Sequence, residues 1–133
     1  MNCTDEVVGL HQFFEEWLGG KLAQTRGNFE RLTAVMHPNF HIISPEGKIT
    51  AYESLMVGLW QAHNSRPSFR LWVKEVVGRP LSAGITLVTY EEWQEIAGKV
   101  NGRVSTAVFQ QKADTPNGVE WLHVHETWLQ IGD

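Results

Sequence analysis

The spacing of apolar residues is helical in the first half of the chain and strand-like in the second. The first apolar stripe repeats every three or four residues, which is the spacing of one helix face: Val7, Leu10, Phe14, Trp17 and Leu18. Thr4 or Asp5 is the expected N-cap, since either side chain can accept a hydrogen bond from a free backbone N–H. Gly19-Gly20 ends this helix, because glycine readily adopts the left-handed conformation that follows a last helical turn.

A second, shorter helix is predicted after Gly27-Asn28. Its apolar stripe has the same period: Phe29, Leu32, Val35 and Met36. His37-Pro38 ends this helix, because the residue before a proline is disfavoured in the helical region. A short strand at 40–44, a turn at 45–47 and a brief return strand at 48–49 follow it.

The third helix is predicted to begin at Thr50, which can form a capping box with Glu53. Its apolar stripe again fits the helical period: Tyr52, Leu55, Met56, Leu59, Trp60 and His63. The segment 64–67, which ends in proline, closes the helix.

From Phe69 onward the residues are those favoured in strands, many of them β-branched or aromatic. Four strand segments are predicted: 69–77, 84–96, 103–112 and 119–131. Turn signals divide them: Gly78-Arg79-Pro80, Asn101-Gly102 and Pro116-Asn117-Gly118. Such short connections join antiparallel neighbours, whereas parallel strands need long crossovers. The pattern therefore predicts one α+β domain over residues 1–133, with helices covering one face of an antiparallel sheet.

Composition and charge narrow the possible classes of function. The chain has 133 residues and a formal net charge of −4. It has no basic cluster that would match nucleic-acid phosphates, and no apolar run long enough to cross a membrane. The single cysteine, Cys3, cannot form an internal disulfide, and the N-terminal sequence is unlike a secretory signal. A cytoplasmic protein is therefore expected. The six tryptophans are interpreted as core or interface residues, or in part as the lining of a cavity.

Two local sequences add a family resemblance to this order of elements. The stretch 37–47 is similar to the helix-to-strand passage of the nuclear-transport-factor-2-like superfamily, and 121–128 is similar to its terminal strand. The superfamily includes ketosteroid isomerases, SnoaL-like polyketide cyclases and the association domain of calcium/calmodulin-dependent kinase II, which has a close version of the terminal strand. The resemblance implies a cone-shaped α-α-β-β-α-β-β-β-β fold, in which a curved antiparallel sheet wraps around three helices. It also implies a cavity open at one end and a homodimer formed through the outer face of the sheet.

The resemblance further predicts which residues line the cavity, because side chains of a strand alternate between its two faces. The expected pocket-lining residues are Trp17, Phe40, Ile42, Ser44, Tyr52, Met56, Trp60, His63, Val124, Glu126 and Trp128. The remaining residues of the last strand then lie on the outer face, unless a bulge inverts the alternation: Trp121, His123, His125 and Thr127.

Ketosteroid isomerases use two groups that this chain does not have. Their general-base aspartate corresponds to Ser44, whose hydroxyl is not an unassisted base near neutral pH. Their first-helix tyrosine has no counterpart in the first helix here, so steroid isomerisation is not expected. The candidate acid/base residues are Glu126, whose pKa would rise on burial beside Val124 and Trp128, and His63 on the third helix. The alternative interpretations are a salt-bridged or exposed carboxylate for Glu126 and a core residue for His63.

Three histidines offer the residue type that binds metals, but without a complete ligand set. His123 and His125 share one strand face, and His41 could supply a third ligand. Further ligands at typical spacing do not follow, so packing within a dimer interface is the preferred interpretation, and no metal or other cofactor is predicted. Glu91-Glu92 and Glu95 are interpreted as a charged outer surface.

Three hypotheses of function follow from the resemblance and the candidate residues. The leading one is an uncharacterised SnoaL-like homodimer that binds a small molecule and has no demonstrable catalytic set. The second is an isomerase, cyclase or dehydratase that acts on a small polar or polyketide-like substrate, with Glu126 or His63 as acid/base. The third is an association module without a ligand.

Overall fold

The computed structural model describes residues 1–130, and residue 131 of the predicted final strand lies outside this range. Three helices pack against one mixed sheet of six strands. The elements in chain order are α1 (Cys3–Leu18), α2 (Arg26–Thr33), β1 (Met36–Ile43), β2 (Ile49–Ala51), α3 (Tyr52–Gln61), β3 (Arg70–Ser82), β4 (Ile85–Ile96), β5 (Lys99–Gln111) and β6 (Val119–Trp128). This order is the predicted one, and the α+β class is confirmed.

The strands lie in the order β2-β1-β6-β5-β4-β3. All neighbours are antiparallel except β1 and β6, which pair in parallel through Ile42 and Val124. A fully antiparallel sheet was the expectation. The difference arises because β1 and β6 are joined by most of the chain, including α3, and such a long connection allows a parallel pair.

The core fills the space between the helices and the inner face of the sheet. Trp17 on α1 and Trp121 on β6 are among its largest fully buried side chains. The indole Nε1 of Trp17 donates to the carbonyl oxygen of Leu59 at 2.7 Å, and this bond ties α1 to α3. The indole Nε1 of Trp121 also has a partner, the Glu6 carboxylate, so both buried indoles have their N–H group hydrogen-bonded.

The second helix ends earlier than the sequence predicts. Ala34 is its C-cap, and Met36 already belongs to β1, where it pairs with Trp121. The apolar pattern does not separate these two possibilities, because Val35 and Met36 are buried in either one. Pro38 lies where the register of β1 against β6 shifts. The ladder of hydrogen bonds is interrupted there, so a residue without an N–H is tolerated.

Two predicted turns lie inside strands. Pro80 pairs with Thr86 within β3, which is possible because β3 is an edge strand and its outer N–H groups need no partner. Gly102 pairs with Trp93 within β5. The turn before β5 is Ala97-Gly98, where both residues have positive φ angles of 52° and 80°, as a tight hairpin turn requires.

The helix N-caps also differ from the predicted ones. Asn2, rather than Thr4 or Asp5, caps α1 by accepting a hydrogen bond from the Asp5 N–H at 3.0 Å. Thr50 lies in β2, and α3 begins after Ala51 without a side-chain cap. Each difference is a shift of a few residues at a helix end, where several polar side chains compete for the same free N–H groups.

A bulge in β6 reverses the predicted orientation of one tryptophan. Phe109 pairs with Trp121, but the preceding Val108 pairs with His123, so Leu122 is an extra residue. Trp121 therefore points into the core, 1% exposed, rather than to the outer face. Val124 and Glu126, which follow the bulge, point inward as well.

Within residues 1–130, no helix has both the length and the apolar character needed to cross a membrane.

Candidate functional site

A cavity of about 180 Å³ lies between α1, α3 and the inner face of the sheet. We call it the central cavity. Its wall is mostly apolar and aromatic, with one group of polar and charged side chains contributed by α1 and strands β4 to β6. The residues used below are His11, Phe14, Phe40, Ile42, Leu55, Tyr90, Glu92, Gln94, Arg103, Trp121, Val124 and Glu126.

His11 joins helix α1 to this polar group and is buried, 3% exposed. Its Nδ1 lies 2.7 Å from the carbonyl oxygen of Val7, and its Nε2 lies 2.8 Å from Oε1 of Glu92. A carbonyl and a carboxylate can only accept hydrogen bonds, so both ring nitrogens must donate. His11 is therefore an imidazolium cation. Burial lowers its pKa, but the hydrogen bond to Glu92 and the charge of that carboxylate outweigh burial, and the pKa is raised above 6.5.

Glu92 is the anion at the centre of the group. Its Oε2 accepts a hydrogen bond of 2.7 Å from Nε2 of Gln94 and lies 3.6 Å from Nε of Arg103. Burial acts to raise the pKa of Glu92, but the hydrogen bond and charge of His11 and the charge of Arg103 lower it to about 2. The carboxylate is ionised throughout the physiological range.

Glu126 lies on the neighbouring strand and shares the cation Arg103. Nη1 of Arg103 donates to Oε1 of Glu126 at 3.0 Å, and the Ser105 hydroxyl donates to Oε2 at 3.3 Å. Burial and the nearby charge of Glu92 raise the pKa of Glu126 above its usual value, while Arg103 opposes them. The Arg103 guanidinium lies between the two carboxylates, and its contact with Glu126, at 3.0 Å, is shorter than its contact with Glu92, at 3.6 Å. We call His11, Glu92, Arg103 and Glu126 the charged cluster.

The register of the sheet brings the cluster together. Glu92 on β4 is paired with Arg103 on β5, and Ser105 on β5 is paired with Glu126 on β6. Paired residues of antiparallel strands point to the same face, so all four side chains reach the inner face of the sheet. The charged cluster therefore forms where these three paired strands pack against α1.

A further buried carboxylate, Glu6, lies outside the cavity and holds the N-terminal helix in place. It is fully buried and accepts two hydrogen bonds from Arg31 at 3.0 and 3.1 Å. It also accepts hydrogen bonds from the amide of Asn117 at 3.0 Å and the indole Nε1 of Trp121 at 2.8 Å. This bidentate pair with two further donors satisfies a buried charge and connects α1, α2 and the start of β6.

Four of the residues predicted to line the pocket lie on the wall of the central cavity. These are Phe40, Ile42, Val124 and Glu126. Of the two candidate acid/base residues, the structure therefore places Glu126 in the cavity, where Arg103 binds it.

Four other predicted lining residues lie elsewhere. Trp17 is inside the core. The His63 ring packs against Trp17 with centroids 4.7 Å apart. Its Nε2 lies 2.6 Å from the carbonyl oxygen of Leu22. Ser44 is part of a turn, where its hydroxyl accepts a hydrogen bond from a backbone N–H. Trp128 is 45% exposed and stacks against the Arg103 guanidinium. His63 is displaced because α3 ends at Gln61, two residues before it.

The remaining three predicted residues lie in a separate surface groove between α2 and α3. Tyr52, Met56 and Trp60 line this groove. The guanidinium carbon of Arg26 lies 4.0 Å from the centroid of the Trp60 ring, so one face of the indole is already covered. The part of the predicted stripe that lies on α3 is divided between this groove and the central cavity, which Leu55 lines.

Sequence reasoning missed His11 and placed Glu92 on the wrong face. His11 lies four residues after Val7 and three before Phe14, so the helical period already put it on the apolar face of α1. Glu92 was interpreted as outer surface together with Glu91. The alternation Val88, Tyr90, Glu92 shows its inward orientation once the two buried apolar residues are recognised.

The outer face of the sheet is the face opposite the central cavity, and it includes His41, His123 and His125. His41 is paired with His123 across β1 and β6. Burial lowers the pKa of His123, and the charges of His125 and His41 lower it further. Among residues 1–130, no three His, Cys, Asp or Glu side chains are arranged to hold a metal ion.

The family follows from comparison with known sequences. The model of the sucrose-6-phosphate phosphohydrolase C-terminal family matches residues 3–130. The chain belongs to this family. Sucrose-phosphatase 1 of Nicotiana tabacum is 29% identical over 128 residues, which are 94% of this chain and 30% of that protein. Sucrose-phosphatase 2 of the same plant is 27% identical over 127 residues, 93% of this chain and 30% of that protein. The chain thus spans less than a third of the length of these relatives.

Solved structures confirm the nuclear-transport-factor-2-like fold. An NTF-2-like protein of unknown function from Pseudomonas aeruginosa superposes with a TM-score of 0.85 at 20% identity, covering 96% of this chain and 98% of that one. The hub of calcium/calmodulin-dependent kinase II from S. rosetta superposes with a TM-score of 0.63 at 14% identity, covering 90% and 94%. At these identities the likeness concerns the fold alone.

The predicted function, that of an uncharacterised SnoaL-like protein, is wrong. The match over residues 3–130 places the chain in the sucrose-phosphatase C-terminal family instead. The two sequence stretches that supported the prediction, 37–47 and 121–128, form β1 with its turn and β6. They identified the fold and not the branch within it.

Proposed function

We propose that this domain supports the hydrolysis of sucrose 6-phosphate without cleaving the P–O bond itself. The observation that carries the proposal is the family match over residues 3–130. The relatives named as sucrose-phosphatases align with this chain over 30% of their length, and the family that matches the chain is named as a C-terminal one. We expect the groups that transfer the phosphoryl group to lie in the remaining 70% or so of those proteins.

The chemistry of the central cavity supports a role in binding rather than in attack on phosphorus. Glu92 is bonded to His11 and Gln94 and is paired with Arg103, and Glu126 is bonded to Arg103 and Ser105. A carboxylate with a pKa of about 2 and several donors is a weak nucleophile and a weak base. The cluster is suited to holding a fixed arrangement of donors and acceptors.

We further propose that two copies of the domain associate through the outer face of the sheet. Half-buried apolar side chains on β1, β4 and β5 alternate with the inward residues and so form part of this face: Ile43, Leu87, Val104 and Val108. Kinase association domains are among the proteins with this fold. A cytoplasmic location remains part of the proposal, with Cys3 as the single cysteine.

A phosphate-release assay tests the supporting role. The chain alone should release no phosphate from sucrose 6-phosphate. Sucrose-phosphatase 1 of Nicotiana tabacum, shortened by the stretch that aligns with this chain, should gain kcat/KM when the chain is added. The same chain unfolded by heat is the matched control and should change nothing. Phosphate release by the chain alone would overturn the proposal, as would an unchanged kcat/KM on addition of the folded chain.

A further inference from the structure

Arg103, which lines the central cavity, has a buried hydrogen-bond donor that is not used within residues 1–130. Nε of Arg103 is shielded from solvent and has no hydrogen-bond partner. The nearest carboxylate oxygen, Oε2 of Glu92, lies 3.6 Å away, which is an ion-pair distance but too long for a hydrogen bond. An unsatisfied buried donor is unfavourable, so a ligand that brings an acceptor within reach of Nε would be stabilised by this bond.

The charges of the cluster balance when all four groups are ionised. His11 and Arg103 are cations, and Glu92 and Glu126 are carboxylates that already hold them. A phosphate in the cavity would bring its charge next to these two carboxylates, and a cationic ligand would meet His11 and Arg103. A neutral group with hydroxyls meets neither repulsion, because a hydroxyl accepts from the guanidinium and donates to a carboxylate.

The apolar wall and the size of the cavity restrict the ligand further. Phe14, Phe40, Tyr90 and Trp121 contribute aromatic rings to the wall, and the faces of such rings attract the C–H groups of a sugar ring. The cavity has a volume of about 180 Å³. This volume lies below the roughly 300–1,000 Å³ of pockets for drug-sized ligands, and suits one ring rather than two.

We propose that the central cavity binds one uncharged hexose ring, whose hydroxyls bond to Arg103 and Glu126 and whose apolar face packs on the aromatic wall. The site selects the sugar part of a ligand and excludes its phosphate. The neutral charge, the single ring and the hydroxyl groups of the ligand are inferred from the cavity. The choice of sugars rests on the proposed function. The domain would then retain the sugar product, or hold the unphosphorylated ring of the substrate, while phosphate is released elsewhere.

Calorimetric titration of the full chain tests the site with sucrose, glucose, fructose, sucrose 6-phosphate and inorganic phosphate. At least one neutral sugar should bind, and phosphate should not. Arg103→Lys keeps the charge but removes Nε, and should weaken sugar binding at least tenfold. Arg79→Lys on the exposed edge strand β3 is the matched control and should bind sugar like the unaltered chain.

A second variant covers the case in which Arg103→Lys fails to fold. Leu55 is a half-buried apolar wall residue from α3, so Leu55→Trp fills the cavity and should abolish sugar binding while the melting temperature stays close to that of the unaltered chain. Binding of phosphate in preference to sugar would overturn the inference. So would the absence of binding by all three neutral sugars at millimolar concentration, a result that leaves the phosphate-release assay, and with it the supporting role, unaffected.

Discussion

His11 on α1 and Glu92 on β4 are 81 positions apart in the chain, and their Nε2 and Oε1 atoms lie 2.8 Å apart in the fold. Because the other ring nitrogen of His11 is committed to the carbonyl oxygen of Val7, the histidine is held as a cation. A buried cation and a buried anion of this kind depend on each other, since either one alone would be left with an uncompensated charge. The pair therefore links the position of α1 to the electrostatics of the cavity.

Removing the cation should destabilise the protein strongly. In His11→Leu the Glu92 carboxylate loses its closest partner, and breaking a buried ion pair from one side costs roughly 3–5 kcal/mol. The free energy of unfolding in urea measures this loss. Lys48→Leu, which removes an exposed cation from the turn before β2, is the control and should change stability by less than about 0.5 kcal/mol. A loss of less than about 1 kcal/mol for His11→Leu would mean that solvent reaches the pair.

The same pair should set the pH dependence of stability. The pKa of Glu92 is about 2 in the folded protein against an ordinary 4.5, so the unfolded chain binds more protons between these values. The contribution of Glu92 is complete above pH 4.5 and is lost as the pH falls toward 2. The pKa of His11 is raised above 6.5, so its contribution is complete below pH 6.5 and is lost as the pH rises through the raised value. The pair thus favours the interval between pH 4.5 and 6.5.

Two isosteric variants separate the carboxylates of the cluster. Glu92→Gln should flatten the acid side of the stability profile in urea unfolding from about pH 5 to pH 2. Glu126 has the opposite sign, because its pKa is raised and the folded state favours its protonated form, so Glu126→Gln should steepen the acid side. Identical profiles for the two variants would show that the carboxylates share their protons equally.

The order of the elements and the inward orientation of Glu126 could be predicted from the sequence, because apolar periods and strand alternation are local properties. The charged cluster could not, since its members come from four separate elements and meet only through the register of β4, β5 and β6. The bulge at Leu122 was also beyond the sequence pattern. One inserted residue leaves apolar positions apolar, yet it moves Trp121 from the outer face to the core.

Two glycines should respond to alanine in opposite directions. Gly20 has φ +74°, and an added Cβ would meet the Asn64 side chain, so Gly20→Ala should lower stability by roughly 1–2 kcal/mol for the left-handed backbone alone. Gly58 lies within α3, and an added Cβ would meet nothing within 4 Å, so Gly58→Ala should raise stability by roughly 0.5–1 kcal/mol. Thermal unfolding measures both. A stabilising Gly20→Ala would contradict the left-handed backbone of Gly20 and its close approach to Asn64.

Association through the outer face can be tested at one exposed histidine. His125 on β6 lies between Thr106 of β5 and Ile43 of β1, close to the middle of that face. Two-fold symmetry brings the same surface of each copy together, so His125→Asp would place two carboxylates near the same axis and remove two imidazole rings from the contact. We expect light scattering to show a shift from dimer toward monomer, and the melting temperature to become less dependent on protein concentration.

A substitution on the opposite side of the molecule distinguishes a specific interface from a general effect of added charge. Val57 on α3 is 57% exposed and borders the groove between α2 and α3, away from the outer face of the sheet. Val57→Asp adds the same negative charge and should leave the dimer intact. Dissociation by Val57→Asp together with an unaffected His125→Asp would move the interface to the helices. An association there would cover the groove that contains Trp60 and leave the three outer histidines exposed to solvent.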